Sequence, residues 1–316
     1  MRAARFHRFG EPSVLDVEEV PWPAPKGDEV LIRVHGSSIN GTDLNLRGGG
    51  LGLLMAGQLP FTPGFDVSGE VAGCGPAVTA YRPGDRVYAL LGHGGGGAAD
   101  YVTVSQARVG LAPDSVDLVT AAAVPLSGLT ALQALRGEGH LQHSQDKKRV
   151  LVYGASGGIG AFAVQLARIM GAHVTGVARA VKLEYLRELG VDEALSTDEL
   201  DWNDIGQPWD VILDTPPALK FSAVNHALTP HGVLVSTRGL PTRLSDAAAM
   251  LPGAAPRFAA VRTAERGLDL AFLSRLIDRG ELKVPVDRVF ALADIRAAHE
   301  YAEGPEVRGK VVLSLE

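Results

Sequence analysis

RVLVYGASGGIGAFAV, residues 149–164, predicts a short buried strand, a tight glycine turn and the start of a helix. Val150–Val152 is a continuous β-favouring run, as expected of a parallel strand that is buried on both faces. Gly154 allows a sharp turn off the strand, and Gly160 allows the new helix to pack closely against the sheet. Gly157 and Gly158 carry no Cβ, so a ligand can approach their backbone closely.

The helix after this turn has a regular apolar face and a defined end. Gly171 closes it, and its apolar residues recur at helical spacing: Ile159, Phe162, Ala163, Leu166, Ala167 and Met170. The first N–H groups of a helix have no partner within it, so they suit an anion such as a dinucleotide pyrophosphate. A glycine turn alone can be only a turn, but the strand–turn–helix context favours a nucleotide site. We expect Gly157, Gly158 and Ile159 to donate to the pyrophosphate, and Gly154, Ala155, Ser156 and Gly160 to line the cofactor.

The residues after the next predicted strand, His173–Val177, indicate which nucleotide binds. A site selective for NAD usually has an acidic residue about 20 positions after the glycines. Here Ala178 is followed by Arg179 and, shortly after, Lys182, with no carboxylate before Glu184. A guanidinium matches the 2′-phosphate of NADP, so these residues predict NADPH. The alternative is that both are ordinary solvated charges at the start of a helix.

Length and charge exclude some classes of protein. The 316 residues suit two domains, and 46% hydrophobic and 21% charged residues are ordinary for a globular chain. A formal net charge of −6 argues against a general binder of nucleic acid or anionic membranes. We therefore expect neither as a partner.

The cysteine content and the first residues favour a reducing location. Cys74 is the only cysteine, so neither an internal disulfide nor a multi-cysteine zinc site can form. Residues 1–6 lack the apolar core of a signal peptide, and no apolar run is long enough to span a membrane. These features lead us to expect a cytoplasmic protein.

The order of the predicted elements gives an α/β chain with two domains. Residues up to about 120 read as β-rich segments separated by turn signals, followed by a helical stretch over Thr120–Leu135. Strands and helices then alternate, which predicts a doubly wound parallel sheet. The predicted strands are Val174–Val177, Val191–Leu195, Val211–Asp214 and Gly232–Ser236, and the predicted helices are Lys182–Leu189 and Phe221–Leu228.

The final part of the sequence is assigned to the first domain. It reads as a helix at Leu268–Arg279, a strand at Val286–Phe290, a helix at Ile295–Ala302 and a strand at Gly309–Leu313. The resulting prediction is a catalytic domain of residues 1–124 and 266–316 around a nucleotide domain of residues 125–265. Asp214, Thr215 and Ser236, at the ends of two strands, are expected to line the cofactor crevice. The alternative for Asp214 is a helix cap just after its strand.

Several motifs occur together in a family-like order and spacing. They are Asn40–Asp43, Pro63–Val71, Pro83–Val87, Leu126–Thr130, Gly154–Gly160 and Gly309–Lys310. With them the whole chain resembles the zinc-free quinone oxidoreductases, the zeta-crystallin-like branch of the medium-chain dehydrogenase/reductase superfamily. The resemblance implies a GroES-like catalytic domain and a Rossmann domain, NADPH as cofactor, and a homodimer. It also implies reduction of quinones or of C=C bonds conjugated to a carbonyl.

The resemblance assigns further residues, some of which depart from the family pattern. It places Ser127 and Thr130 near the nicotinamide-ribose end of the cofactor, and it places Thr197 where family members often have a tyrosine near the 2′-phosphate. Another family tyrosine is replaced by Asn45. The segment Gly48–Leu54 is expected to form a mobile rim over the acceptor.

Comparison with the sister branch, the zinc alcohol dehydrogenases, predicts that no metal is bound. Those enzymes have a zinc-ligating cysteine where this chain has Asn40, and a histidine where it has Phe65. Asp66 alone cannot hold the ion. Without a Lewis acid an alkoxide is poorly stabilised, whereas hydride addition to an electron-poor acceptor needs none. This favours a quinone or enone reductase.

Asn40 is the best candidate for a catalytic side chain. Its amide can donate to the carbonyl oxygen of the substrate, although an Asn before Gly41 can also serve only to form a turn. Asp43 is expected to fix the same loop, and no general acid is evident. Two other functions stay open: an enoyl-thioester reductase of polyketide or fatty-acid type, and a non-catalytic NADPH-binding protein.

Overall fold

The computed structural model describes residues 1–50, 56–141, 147–204, 206–237, 244–251 and 253–316. They form two compact units, Met1–Leu129 with Glu265–Glu316, and Thr130–Ala264. The predicted rim segment lies outside the described residues from position 51 to its end.

The first unit is built mainly of β-strands. Its strands are β1 (Arg2–Phe6), β2 (Leu15–Glu19), β3 (Glu29–Ile39), β4 (Asp66–Cys74), β5 (Arg86–Leu90), β6 (Tyr101–Ser105), β7 (Val109–Leu111), β14 (Val286–Ala291) and β15 (Lys310–Ser314). The first two form a hairpin, and the main sheet has the order β14-β15-β3-β4-β5-β7, with β6 also paired to β3. Only β14 and β15 pair in parallel within this sheet as described.

Helices flank this sheet. They are α1 (Gly41–Arg47), α2 (Leu118–Ala121), α8 (Gly267–Asp278) and α9 (Ile295–Glu303). The helix α3 (Pro125–Gln133) begins in the first unit and ends in the second. The helical stretch predicted over Thr120–Leu135 is present but is interrupted between Ala121 and Pro125, because Pro125 has no N–H to continue a helix and restricts the residue before it. Asp117 caps α2 by accepting the N–H of Thr120 at 2.6 Å.

The second unit contains a six-stranded parallel sheet. The strands β8 (Arg149–Tyr153), β9 (His173–Ala178), β10 (Glu193–Ser196), β11 (Trp209–Asp214), β12 (Leu228–Ser236) and β13 (Arg257–Ala260) lie in the order β10-β9-β8-β11-β12-β13. Counted from β8, this is the 3-2-1-4-5-6 order of a dinucleotide-binding sheet. The predicted doubly wound α/β fold is therefore confirmed. Leu151, Trp209, Ile212, Leu234 and Phe258 belong to its core.

The helices of the second unit are α4 (Gly158–Ile169), α5 (Leu183–Leu189), α6 (Phe221–Val224) and α7 (Leu244–Ala248). Several predicted boundaries in this unit are wrong; for example, the strand expected from Gly232 begins at Leu228. The strand expected from Val191 starts at Glu193, since the N–H of Val191 still closes α5 by donating to Leu186 O, after Gly190 at φ +87°. The helix expected to reach Leu228 ends at Val224, because Leu228 already pairs with Trp209 in the sheet.

Candidate active site

The glycine turn after β8 is fixed by hydrogen bonds to the neighbouring strand. The N–H groups of Gly154 and Ala155 both donate to Val177 O at 3.0 Å. Gly154 has φ +78°, and a Cβ there would lie 2.5 Å from Thr215 Oγ1. Because of this positive φ and this short distance, only glycine fits the position without strain, as predicted for a residue that turns the chain sharply off the strand.

The start of α4 presents the backbone expected to hold an anion. Gly157 precedes the helix with extended backbone, φ −84° and ψ 177°, and its own N–H donates to Gly154 O at 3.1 Å. Of the three predicted pyrophosphate donors, Gly157 thus already has a partner within the turn. Gly158 and Ile159 occupy the first turn of the helix, where N–H groups have no intrahelical acceptor. A Cβ built on Gly157 would meet nothing closer than Gly154 O at 3.5 Å, so there is space for a ligand beside this backbone.

The residues predicted to bind the 2′-phosphate lie near the carboxyl ends of two adjacent strands. Arg179 directly follows β9 and is exposed, whereas Lys182 is only 7% exposed. Thr197 directly follows β10, and its N–H donates to Ala178 O at 2.9 Å, which places its backbone beside the residue before Arg179. The alternative interpretation of Lys182 as an ordinary solvated charge is wrong because the side chain is buried.

Asp214, Thr215 and Ser236 lie at the carboxyl ends of β11 and β12. Asp214 is fully buried, and its carboxylate accepts the N–H groups of Ala218 at 3.1 Å and Leu219 at 2.9 Å. Ala218 and Leu219 precede α6, which begins at Phe221, so these bonds fix the loop after β11 and Asp214 is not the helix cap that the sequence left open. Thr215 Oγ1 donates to Tyr153 O at 2.9 Å, which ties the end of β11 to the glycine turn.

Ser127 and Thr130 are both buried in α3. The hydroxyl of Thr130 lies 2.7 Å from that of Thr263. One turn further, the Gln133 amide donates to Ala264 O at 2.9 Å and accepts Ala264 N–H at 2.8 Å. Thr263 and Gln133 were not predicted from the sequence, and no local motif marks them.

In the first unit, a buried polar cluster lies where β3 ends and β4 and β15 begin. Ser38 pairs with Asp66 across β3 and β4, and Ile39 pairs with Val311 across β3 and β15. This register brings Asn40, Asp66 and Lys310 together. Lys310 Nζ donates to Asn40 Oδ1, to Ile39 O at 3.3 Å and to Asp66 Oδ2 at 3.4 Å.

The Asn40 amide is largely engaged inside this cluster. Its Nδ2 donates to Asp66 Oδ2 at 2.9 Å and lies 3.3 Å from Ser38 O, and the residue is 7% exposed. A substrate oxygen would therefore have to share these donors. In the sequence, Asp66 was considered only as a motif residue and an insufficient zinc ligand, and Lys310 only as a motif residue. Their pairing could not be inferred there because 244 residues separate them.

Asp43 fixes the loop, as expected. Its carboxylate accepts Asn40 N–H at 2.9 Å and Gly64 N–H at 2.7 Å. Burial raises the pKa of Asp43 to about 6, although both hydrogen bonds favour the charged form. Burial likewise lowers the pKa of Lys310, opposed by the nearby carboxylates of Asp66 and Asp43.

Two further findings concern metal ions and membranes. Within the part of the chain that the structure describes, no three His, Cys, Asp or Glu side chains gather in a group that could hold a metal ion. Among the same residues, no helix has both the length and the apolar character needed to cross a membrane.

Comparison with known proteins gives the family. Residues 26–114 match the alcohol dehydrogenase GroES-like domain, and residues 189–313 match a family described as zinc-binding dehydrogenase. The chloroplastic quinone-oxidoreductase QR1 of Triphysaria versicolor is 32% identical over 99% of this chain and 98% of its own. The chain belongs to the quinone oxidoreductase family of the medium-chain dehydrogenase/reductases. The resemblance inferred from its motifs is thus confirmed.

Solved structures agree with this assignment. The quinone oxidoreductase from Coxiella burnetii superposes with a TM-score of 0.88 at 28% identity, covering 100% of this chain and 99% of that one. The CurK enoyl reductase superposes with a TM-score of 0.84 at 26% identity over 99% and 98% of the two chains. As a member of the quinone oxidoreductase family, this protein is an oxidoreductase, and members of the superfamily bind nicotinamide cofactors.

Proposed function

We propose that this protein is a metal-independent reductase that uses NADPH to reduce quinones or α,β-unsaturated carbonyl compounds. The observation that carries the choice of NADPH is the exposed guanidinium of Arg179 at the carboxyl end of β9. No carboxylate follows before Glu184, so the usual partner of an unphosphorylated ribose is missing there. A guanidinium is well suited to a phosphate dianion.

The residues proposed to bind this nucleotide belong to the second unit, apart from Ser127. Gly158 and Ile159 would donate to the pyrophosphate, while Arg179, Lys182 and Thr197 would surround the 2′-phosphate. Ser127, Thr130, Asp214, Thr215 and Ser236 are proposed to contact the remainder of the cofactor. The reduced nicotinamide, when bound, supplies the hydride.

On the acceptor side, Asn40 is the proposed donor to the substrate carbonyl oxygen. Developing negative charge on that oxygen strengthens a hydrogen bond from the amide, which would compete with the existing acceptors Asp66 and Ser38. The donor set supports metal independence, because an amide and a phenyl ring replace the thiolate and imidazole of the zinc enzymes. The proton is proposed to come from solvent.

The test compares Arg179→Gln with the matched control Arg187→Gln, whose guanidinium pairs with Glu184 on the surface of α5. Steady-state kinetics are measured with NADPH and with NADH on a panel of quinones and enones. We expect Arg179→Gln to lower kcat/KM for NADPH by about 10- to 100-fold, the value of one or two charge-assisted hydrogen bonds, with NADH little changed. A wild-type preference for NADH, or equal losses in both variants, would refute the choice of cofactor.

A second candidate is an enoyl-thioester reductase, which the superposition on the CurK enoyl reductase favours. Direct competition between a crotonyl thioester and a quinone separates the two. Tight NADPH binding without turnover of either would instead support a non-catalytic role. We also propose a homodimer located in the cytoplasm, to be checked by light scattering of the purified protein and by imaging of the tagged chain in its own cell.

A further inference from the structure

The carboxylate of Asp66 connects two parts of the first unit that are distant in sequence. Its Oδ2 accepts from Ser38 Oγ at 2.5 Å, Asn40 Nδ2 at 2.9 Å and Lys310 Nζ at 3.4 Å. Its Oδ1 accepts Leu126 N–H at 2.6 Å, in the first turn of α3. One fully buried side chain thus contacts both the Asn40 loop and the start of the helix that carries Ser127.

We propose that Asp66 and Lys310 are positioning residues with different ranges of action. Both orient the Asn40 amide, and Asp66 alone also fixes the start of α3 and with it Ser127. This inference rests on the proposed function, since Ser127 is a proposed cofactor contact and Asn40 a proposed substrate contact.

The first step of the argument concerns the helix. The first N–H groups of α3 lack intrahelical acceptors, and a carboxylate there is favoured by both the hydrogen bond and the helix dipole. Leu126 directly precedes Ser127, so a hydrogen bond at 2.6 Å limits the movement of both. Packing reinforces this position, since a Cβ on Gly128 would lie 3.0 Å from Leu273.

The second step concerns the amide of Asn40. An asparagine can rotate by 180° and exchange its oxygen and nitrogen. Lys310 Nζ can only donate and Asp66 Oδ2 can only accept, so together they allow a single orientation, with Nδ2 toward Asp66. The Asn40 donor is thereby held in one place.

The third step concerns energetics. Lys310 is 2% exposed and Asp66 fully buried. A buried ion pair of this kind often adds little stability compared with apolar residues of the same volume. The contacts of this ion pair reach Asn40, a proposed substrate contact, and Leu126, the neighbour of the proposed cofactor contact Ser127. This favours a role of the pair in orienting these residues.

The two tasks predict different defects. Lys310→Met leaves Asp66 bound to Leu126 N–H but removes the donor that fixes Asn40 Oδ1. Asp66→Leu removes every acceptor from the helix start, whereas asparagine would keep an oxygen for Leu126 N–H, and it leaves the buried ammonium without the carboxylate that it pairs with. Because this variant could fail to fold, Asp66→Leu with Lys310→Met, which removes both charges, provides a second measurement of the same helix defect.

The experiment measures the Kd of NADPH by fluorescence, and kcat and KM for a quinone, in full-length protein. We expect Lys310→Met to keep the NADPH Kd within about twofold of wild type and to lower kcat/KM for the quinone by about tenfold, the value of one oriented hydrogen bond. Both variants carrying Asp66→Leu should raise the NADPH Kd by about fivefold or more, in line with loss of a fixed binding geometry.

Tyr88→Phe is the matched control. The buried Tyr88 hydroxyl donates to Leu270 O at 2.6 Å, so its loss lowers stability in the same unit without touching either proposed site. If the Asp66 and Lys310 variants lose stability as Tyr88→Phe does but keep Kd and kcat/KM, the proposal is overturned. If wild type binds NADPH but reduces no quinone, the proposed function fails, while the Kd measurements still decide the task of Asp66.

Discussion

Two glycines at the start of α4, Gly157 before its first residue and Gly160 within its first turn, predict opposite effects of the same substitution. A Cβ on Gly160 would lie 2.3 Å from Gly154 O and 2.6 Å from Ala155 Cα, and both are backbone atoms that cannot rotate away. On Gly157, in extended backbone, the nearest atom is Gly154 O at 3.5 Å, an ordinary contact. Gly160→Ala should therefore damage the fold, and Gly157→Ala should affect only a ligand that approaches this backbone.

The expected magnitudes follow from these distances. Overpacking typically costs about 1–3 kcal/mol, and contacts this short with backbone place Gly160→Ala at the upper end. Replacing a helical glycine by alanine returns about 1 kcal/mol. The net loss is about 2 kcal/mol, or a fall of about 4–8 °C in Tm for a domain of this size. Gly157→Ala should change the free energy of unfolding by less than about 0.5 kcal/mol.

For nucleotide binding the order of the two variants should reverse, because Gly157→Ala is expected to weaken NADPH binding although it leaves the fold intact. Displacing a phosphate from one charge-assisted hydrogen bond costs about 1.5–3 kcal/mol, so the Kd for NADPH should rise by about 10- to 100-fold. Thermal unfolding without ligand and fluorescence titration of NADPH measure the two effects separately. Wild-type affinity in Gly157→Ala would show that no phosphate lies against this backbone. A free energy of unfolding in Gly160→Ala equal to that of wild type would contradict the close contact between α4 and the glycine turn.

Three further predictions concern protonation and metal ions. Burial raises the pKa of Asp43 to about 6, so folding favours the protonated carboxyl. The Tm of wild type relative to that of Asp43→Asn should therefore decrease as pH rises from about 4 to about 6. His299 is the opposite case, since burial lowers its pKa to about 3. Wild type should lose stability relative to His299→Leu as pH falls from about 6.5 towards 3. A stability difference between the two proteins that stays constant over this range would contradict the prediction. Treatment with a chelator should leave quinone reduction unchanged, and activity that EDTA removes and Zn²⁺ restores would contradict the proposed metal independence.

The second unit was largely predictable because its signals are local. The strand β8, the glycine turn and α4 lie within about twenty consecutive residues, and each element shows its own periodicity. The errors arose where tertiary structure overrides a local pattern. Leu228 continues an apolar helical pattern from Phe221, yet pairing with Trp209 places it in a strand.

The cluster in the first unit was only partly predictable. Asn40 and Asp43 stand in one short motif, so their proximity could be inferred. The contact between Asp66 and Lys310 depends instead on the strand order β15-β3-β4, which places a strand from the end of the chain beside one from its beginning. No periodicity encodes that order. The burial of Lys182 was missed for a similar reason, because its charge favours solvent and only the fold determines its surroundings.

The position of Lys310 adds a physical reason for the proposed metal independence. Its ammonium already donates to three oxygen acceptors, from Asn40, Ile39 and Asp66. A divalent cation seeking the same oxygens would meet a buried like charge at hydrogen-bonding distance, where the low dielectric strengthens repulsion. Such an ion would have to displace or deprotonate Lys310 first. Two features therefore disfavour a metal ion here. Asn40 and Phe65 stand where the zinc enzymes have metal ligands, and the buried Lys310 occupies the oxygens that remain.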